Sequence, residues 1–251
     1  MQAVVTDNYN ADFYDRQREG SLISAQAVLP VVFDLVRPSS IVDFGCGVGT
    51  WLSAAKMLSV NDLLGLEGAW VESKRLAYSS IPIIEVDLEQ PVSLPRRFDL
   101  AISLEVAEHL APQRADTFVD DICKTSDVIL FSAAAPGDDG DGHQNEQWPS
   151  YWAEKFLRRG YMPLDVVRPI ISTNKSIEFW YRTNTVIYAK PERCFEILQK
   201  VDRRHLTNLD LPRIVEIVGL RRASEDFARS ARSLFHWTKI RALERLKHRS
   251  S

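Results

Sequence analysis

The chain has 251 residues, 26% charged and 45% apolar, with 31 basic and 34 acidic side chains and a formal net charge of -3. With 11 Gly and 12 Pro, this composition excludes collagen-like and low-complexity classes, and the length fits one domain, or one domain with an appendage, able to bury a core without staples. The small net charge conceals an asymmetry: residues 191–251 carry 14 basic and 8 acidic side chains, whereas the first 190 carry 17 and 26. No stretch approaches the roughly 18 uncharged apolar residues of a membrane span. The first twenty residues have neither the basic nor the apolar region of a secretory leader. Cys46, Cys123 and Cys194 show no metal-type spacing, which leads to an expectation of reduced thiols and a cytoplasmic location.

In chain order, Ser21 to Val36 has the apolar face of a helix, with Pro30 inside it. Ser40–Phe44 is a short apolar run of the buried-strand kind, followed by GCGVG and a predicted helix from Thr50 to Leu58. Further short runs follow at 62–66, 81–88, 98–104, 127–133, 162–167 and 185–189. Helical patterns separate most of them, so the chain is expected to be α/β, a parallel sheet with helices on both faces. The segment Ala134 to Pro149, rich in Gly and Asp, breaks this rhythm, and loops of that length tend to be functional. From Pro191 onward the pattern turns helical and basic, and residues 191–251 are expected to form a helical extension of a 1–190 domain. Within it, Ala223 to Arg249 is loosely amphipathic.

The strongest local signal is Ile41-Val-Asp-Phe-Gly-Cys-Gly-Val-Gly-Thr50. A strand ends in Asp43, and Gly45, Gly47 and Gly49 then let the backbone turn tightly and lie close to a ligand. The dinucleotide fingerprint would need another small residue where Thr50 stands. Glu67 closes the second predicted strand, where an acid can accept hydrogen bonds from both hydroxyls of a ribose. Asp87 closes the third, within reach of an exocyclic amine. Asp43 suits a ligand that carries an ammonium and a sulfonium better than a pyrophosphate, which prefers uncompensated N–H groups.

These residues resemble the class I S-adenosylmethionine-dependent methyltransferases over about residues 20–190. DFGCGVGTW looks like the family's first motif, Glu67 like its ribose acid and Asp87 like its adenine-contacting acid. The resemblance implies a Rossmann-like seven-stranded sheet with its last strand antiparallel, and S-adenosylmethionine as cofactor. It further implies cofactor contacts from Asp43, Gly45, Cys46, Gly47, Gly49, Trp51, Glu67, Gly68, Asp87, Leu88, Leu104 and Glu105. The combination SLEVAEHL, FSAAAPGDDGDGHQNEQWPSYW and EFWYRTNTVIYA is similar to bacterial methyltransferases found among genes for polysaccharide and other glycan synthesis.

Glu105, Glu108 and His109 follow the fourth predicted strand. If a helix begins there, the i, i+3, i+4 spacing sets all three on one face at the ligand-bearing edge of the sheet. His143 lies in the long loop after the fifth strand, beside that edge. Two carboxylates and two imidazoles can hold a divalent cation such as Mg²⁺, Mn²⁺ or Fe²⁺. A similar cluster supplies a metal site in the small-RNA terminal 2′-O-methyltransferases, and related ones occur in ubiquinone-pathway O-methyltransferases. A metal there would lower the pKa of a hydroxyl about to be methylated. In a second reading Glu105 lies by the methionine end of the cofactor, His109 packs locally and His143 is the general base, a role to which histidine's ordinary pKa of about 6.5 is suited. Trp148 and Tyr151 are candidate walls of an acceptor pocket, since sugars stack on aromatic faces.

The sequence therefore predicts an O-methyltransferase acting on a hydroxyl of a sugar or glycan precursor. An enzyme for other small-molecule or natural-product acceptors stands beside it. RNA methylation stands further off, because the body is acidic and no Asn/Asp-Pro-Pro-Tyr/Phe motif follows the fourth strand. A non-catalytic cofactor-binding scaffold stands further off because the glycine turn and its acids are intact. The basic tail is either a solvated face or a contact for an anionic membrane surface or a partner enzyme.

Overall fold

Seven of the apolar runs become the strands of one sheet: β1 (Ser40–Phe44), β2 (Asp62–Glu67), β3 (Ile83–Glu85), β4 (Leu100–Leu104), β5 (Val128–Ser132), β6 (Met162–Leu164) and β7 (Val186–Ala189). The computed structural model describes residues 11–69, 80–138 and 140–201, with side chains from residue 19 onward. The predicted tail helix, Ala223 to Arg249, lies outside the described residues.

The strand order is β3-β2-β1-β4-β5-β7-β6. All pairs from β3 to β5 are parallel, while β7 runs antiparallel to both β5 and β6. Every residue of β1, β4, β5 and β7 is buried. Continuous burial is what strands covered on both faces require, and it explains why they read as apolar runs rather than as alternations. The chain reverses its direction of travel across the sheet between β1 and β4, and a crevice outside the C-terminal strand ends is where such sheets bind ligands.

The helices are α1 (Ala11–Val36), α2 (Thr50–Met57), α3 (Ala115–Thr125), α4 (Pro149–Arg158), α5 (Arg168–Ile171), α6 (Phe179–Asn184) and α7 (Pro191–Lys200). One face of the sheet packs on α1, α2 and α5 to α7, with Val28, Leu29, Val32, Leu52, Ile171 and Ile197 in its core. The other packs on α3 and α4 through Phe118, Ile122, Trp152 and Phe156. Residues Glu19–Val36 of α1 have the length and hydropathy of a membrane helix, but Ala25, Val28, Leu29 and Val32 are fully buried against this protein's own core. The helix α7 also belongs to that layer: Ile197 is fully buried, and Lys200 Nζ donates to the Leu35 carbonyl at 2.7 Å.

Two local expectations need correction. The third strand is only three residues long rather than spanning 81–88. It is the sheet's edge, Pro82 precedes it, and Ile84 and Glu85 face solvent, so little apolar burial extends it. The predicted helix carrying Glu105, Glu108 and His109 does not form either. Glu105 instead has φ +56 and a single 3-10 turn follows over Ala107–His109. The Glu105 N–H reaches the Ser132 carbonyl at 3.1 Å and the Ser132 Oγ at 3.2 Å. The chain folds back across the end of β5 rather than winding onward.

Candidate active site

The glycine turn follows β1 directly. Gly45, Gly47 and Gly49 all have positive φ (77°, 54° and 83°), and Gly49 is the N-cap of α2. At Gly45 a side chain is excluded twice over, by the left-handed backbone and by Val106, whose Cγ2 would lie 2.5 Å from an added Cβ. The glycine turn and the acid-bearing turn after β4 are thus packed directly on each other.

Glu67, buried at the end of β2, closes the glycine turn from the other side. Its Oε2 accepts from the Gly47 N–H at 2.7 Å and its Oε1 from the Gly68 N–H at 2.8 Å. Both bonds orient the carboxylate at the strand's C-terminal end. Asp43, at 3% exposure, has its pKa pushed well up by burial and then by the nearby Glu67 charge. Asp87 stands two residues beyond β3, exposed, and its Oδ1 accepts the Glu89 N–H at 2.9 Å, shaping the turn that follows. Leu88 is buried there. The buried Arg114 holds this segment, donating to the carbonyls of Leu88 and Gln90 at 2.8 Å each and pairing with buried Asp121 at 2.6 Å.

Cys46, Trp51 and Leu104 are buried in the α1 and α2 layer. The Trp51 ring meets Tyr181 edge-on at 5.0 Å, and the Tyr181 hydroxyl lies 3.2 Å from the Ser21 Oγ. The Ser24 hydroxyl accepts the Glu178 N–H at 3.0 Å. The start of α6 is thereby latched to α1 on the side of the glycine turn.

The second cluster forms because the loop after β5 is stitched to the 3-10 turn after β4. The Glu108 carbonyl accepts both the Gln144 N–H (2.8 Å) and the Asn145 N–H (2.9 Å), and Gln144 Nε2 donates to the His109 carbonyl at 2.9 Å. Asp138 secures the loop's other limb, accepting from the Ala135 N–H at 2.9 Å and from Asn184 Nδ2 of α6 at 3.1 Å. These bonds bring His143 to His109, ring centroids 4.8 Å apart and nearly perpendicular. Glu108, His109 and His143 each offer a ligand atom, and all three atoms lie within 4.8 Å of one another.

Glu108 is 1% exposed, and neither of its carboxylate oxygens has a well-formed hydrogen bond. Its pKa is pushed well up by burial and then by the Glu105 charge. Burial also raises Glu105 to about 7, with Asp138 adding to the effect while Ser132 and His143 oppose it. His109 is held below its ordinary value by burial and by His143, against the pull of the Gly142 backbone. Burial favours the neutral form of the Glu105 and Glu108 carboxyl groups, and Glu108, His109 and His143 are groups of a kind that can ligate a cation. Glu105 lies beside the three converging groups, its carboxyl interacting with that of Glu108.

Trp148 is the half-buried N-cap of α4, its carbonyl accepting the Tyr151 N–H at 2.9 Å. Tyr151 lies in the first turn of α4, edge-on to the buried Trp152 at 5.0 Å and with Lys155 Nζ 4.4 Å above its ring. Glu146 was not singled out by the sequence analysis. Its Oε1 accepts from His143 Nδ1 at 2.8 Å, its Oε2 from the Gly137 N–H at 3.0 Å, and these two bonds hold its carboxyl below the usual range. Only its acidity within a polar loop, three residues after a histidine, could have pointed to it.

No protein-family model matches the sequence, and no curated protein matches it either. The fold has clear counterparts among solved structures. The sugar N-methyltransferase KedS8 from a Streptoalloteichus species superposes with a TM-score of 0.56 at 14% identity, covering 76% of this chain and 98% of its own. DesVI of Streptomyces venezuelae gives 0.53 at 15%, covering 72% and 98%. A SAM-dependent methyltransferase from Archaeoglobus fulgidus gives 0.52 at 15%, covering 72% and 100%. The chain has the Rossmann-like fold of these methyltransferases.

Proposed function

We propose that the chain is an S-adenosylmethionine-dependent O-methyltransferase acting on a hydroxyl of a sugar or glycan precursor, with a divalent cation held by Glu108, His109 and His143. The observation that carries this reading is the packing of a glycine turn, closed by a ribose-type acid, against an acid–histidine cluster centred on buried Glu108 at one edge of a methyltransferase-like sheet. When bound, S-adenosylmethionine supplies an electrophilic methyl group on a sulfonium, and a divalent cation supplies a Lewis acid that makes an alcohol easier to deprotonate. The chain's own residues do the rest. Gly45, Gly47 and Gly49 allow close backbone approach, and Glu67 offers a carboxylate to the ribose hydroxyls. Asp43 and Glu105 are the carboxyl groups offered to the ammonium and sulfonium, whose positive charge would draw them toward their ionised forms. Much of the rate in such a displacement comes from holding the two reactants in line.

A sugar is favoured by two considerations: adjacent hydroxyls suit a cation with open positions, and a sugar N-methyltransferase is among the structural counterparts. Trp148 is the residue proposed to wall the acceptor. One observation favours a metal-free variant. His143 Nδ1 is engaged by Glu146, which leaves Nε2 as a proton acceptor for the hydroxyl. The basic tail is proposed to serve contact with an anionic surface or a partner enzyme rather than catalysis.

The test is transfer of labelled methyl from S-adenosylmethionine to a panel of sugars, nucleotide-sugars and RNA, with EDTA and with Mn²⁺ restored. Label on a sugar oxygen, lost with EDTA and regained with Mn²⁺, is the expected result. Label on RNA alone would overturn the glycan assignment, and full activity in EDTA would leave His143 as the base.

A further inference from the structure

We propose that Glu146 is a positioning residue that fixes His143 as its Nδ1–H tautomer and so aims the Nε2 lone pair at the Glu108–His109 cluster. This rests on the reading of His143 as a cation ligand or base, and it deepens that reading by assigning a residue that makes either role work. A carboxylate has no hydrogen to give, so the 2.8 Å contact between Glu146 Oε1 and His143 Nδ1 requires the hydrogen on Nδ1. The second oxygen is not free to drift, because the Gly137 N–H holds it at 3.0 Å. Glu146 thus spans the two limbs of the loop, and the imidazole is fastened at one edge.

The ring is confined on other sides as well. Gly140 lies so close to His143 that an added Cβ would collide with Cε1 and Nε2. The backbone bonds from Gln144 and Asn145 to Glu108 anchor the residues just after His143. With Nδ1 committed, Nε2 is the ring nitrogen left for the cluster. A histidine ligand whose other nitrogen donates to a carboxylate is both more basic and better oriented, and losing such a partner typically costs about 10–100-fold in metal affinity or activity.

The experiment compares the full chain with Glu146→Ala and Glu146→Gln, the latter keeping an acceptor without the charge. The ¹⁵N shifts of the His143 ring, read without metal, should show Nδ1–H in the native chain and in Glu146→Gln, and a mixed tautomer in Glu146→Ala. Titration with Mn²⁺ alone should weaken by about 10–100-fold in Glu146→Ala and less in Glu146→Gln. S-adenosylmethionine affinity should stay within about twofold in both, which reports that the fold is intact. A native tautomer in Glu146→Ala overturns the inference. Failure of the native chain to bind Mn²⁺ overturns the metal reading instead, while the ring shifts still decide the role of Glu146.

Discussion

The site has two halves that are built in opposite ways. The cofactor half consists of strand ends and the turns directly attached to them: β1 runs into Gly45–Gly49, and β2 delivers Glu67 to the Gly47 N–H. The acid–histidine half is assembled across a long chain separation, with a left-handed Glu105, a 3-10 turn and a loop more than thirty residues later tied together by backbone bonds to one carbonyl, that of Glu108. The first half is satisfied as it stands, its carboxylate accepting two N–H bonds. The second contains a buried carboxylate without well-formed partners. A ligand that fits a self-satisfied turn adds affinity, whereas a buried acid raised in pKa is held neutral until a positive ligand draws it into its charged form.

If the halves are functionally separate, substitutions should divide cleanly between cofactor affinity and metal-dependent rate. The largest effect is expected from Glu108→Ala. Removing the central carboxylate should lower the methylation rate by more than the roughly 10–100-fold typical of a supporting partner, with S-adenosylmethionine affinity unchanged by calorimetry. Equal loss of cofactor binding would break the division. Next, Glu67→Ala removes a carboxyl acceptor and should weaken S-adenosylmethionine by about 10–100-fold, as loss of hydrogen bonds to a carboxyl group worth about 1.5–3 kcal/mol implies. Its Mn²⁺ titration should match the native chain.

A smaller effect is expected from Gly140→Ala. The new methyl must displace the His143 ring, so Mn²⁺ binding should fall by about tenfold, an ångström-scale misplacement being enough for such losses. Cofactor affinity should again hold. The smallest effect concerns Asp43, whose folded pKa is raised. Stability linked to its protonated form is complete below the unfolded value near 3.8 and is lost as pH rises through the folded value. Asp43→Asn should therefore raise the thermal midpoint at pH 8 by roughly 2–4 °C per kcal/mol relieved, and the gain should vanish toward pH 4. A gain that grows on acidification would show that Asp43 is stabilised as an anion.

The cofactor half was legible in the amino-acid sequence because its information is local. Glycines at alternate positions, an acid at a strand end and fully apolar runs each specify their own conformation, and β1 to β7 fall within the predicted runs. The other half was legible as a set of residue types and not as a geometry. The spacing Glu105, Glu108, His109 reads as a helix face, but the Glu105 N–H is captured by Ser132 on β5, an event no local propensity records. Glu146 was passed over for the same reason: its significance depends on His143 and Gly137 folding to it from both sides.

Sequence by itself determined the class of sheet, the order of its elements and the chemical inventory of the site, because periodicity and turn chemistry act over a few residues. Only the tertiary structure decided that Glu108, His109 and His143 converge, with Glu105 beside Glu108, and which nitrogen of His143 faces Glu146. Those outcomes depend on hydrogen bonds between segments distant in the chain, formed once the sheet has brought the ends of β4 and β5 side by side.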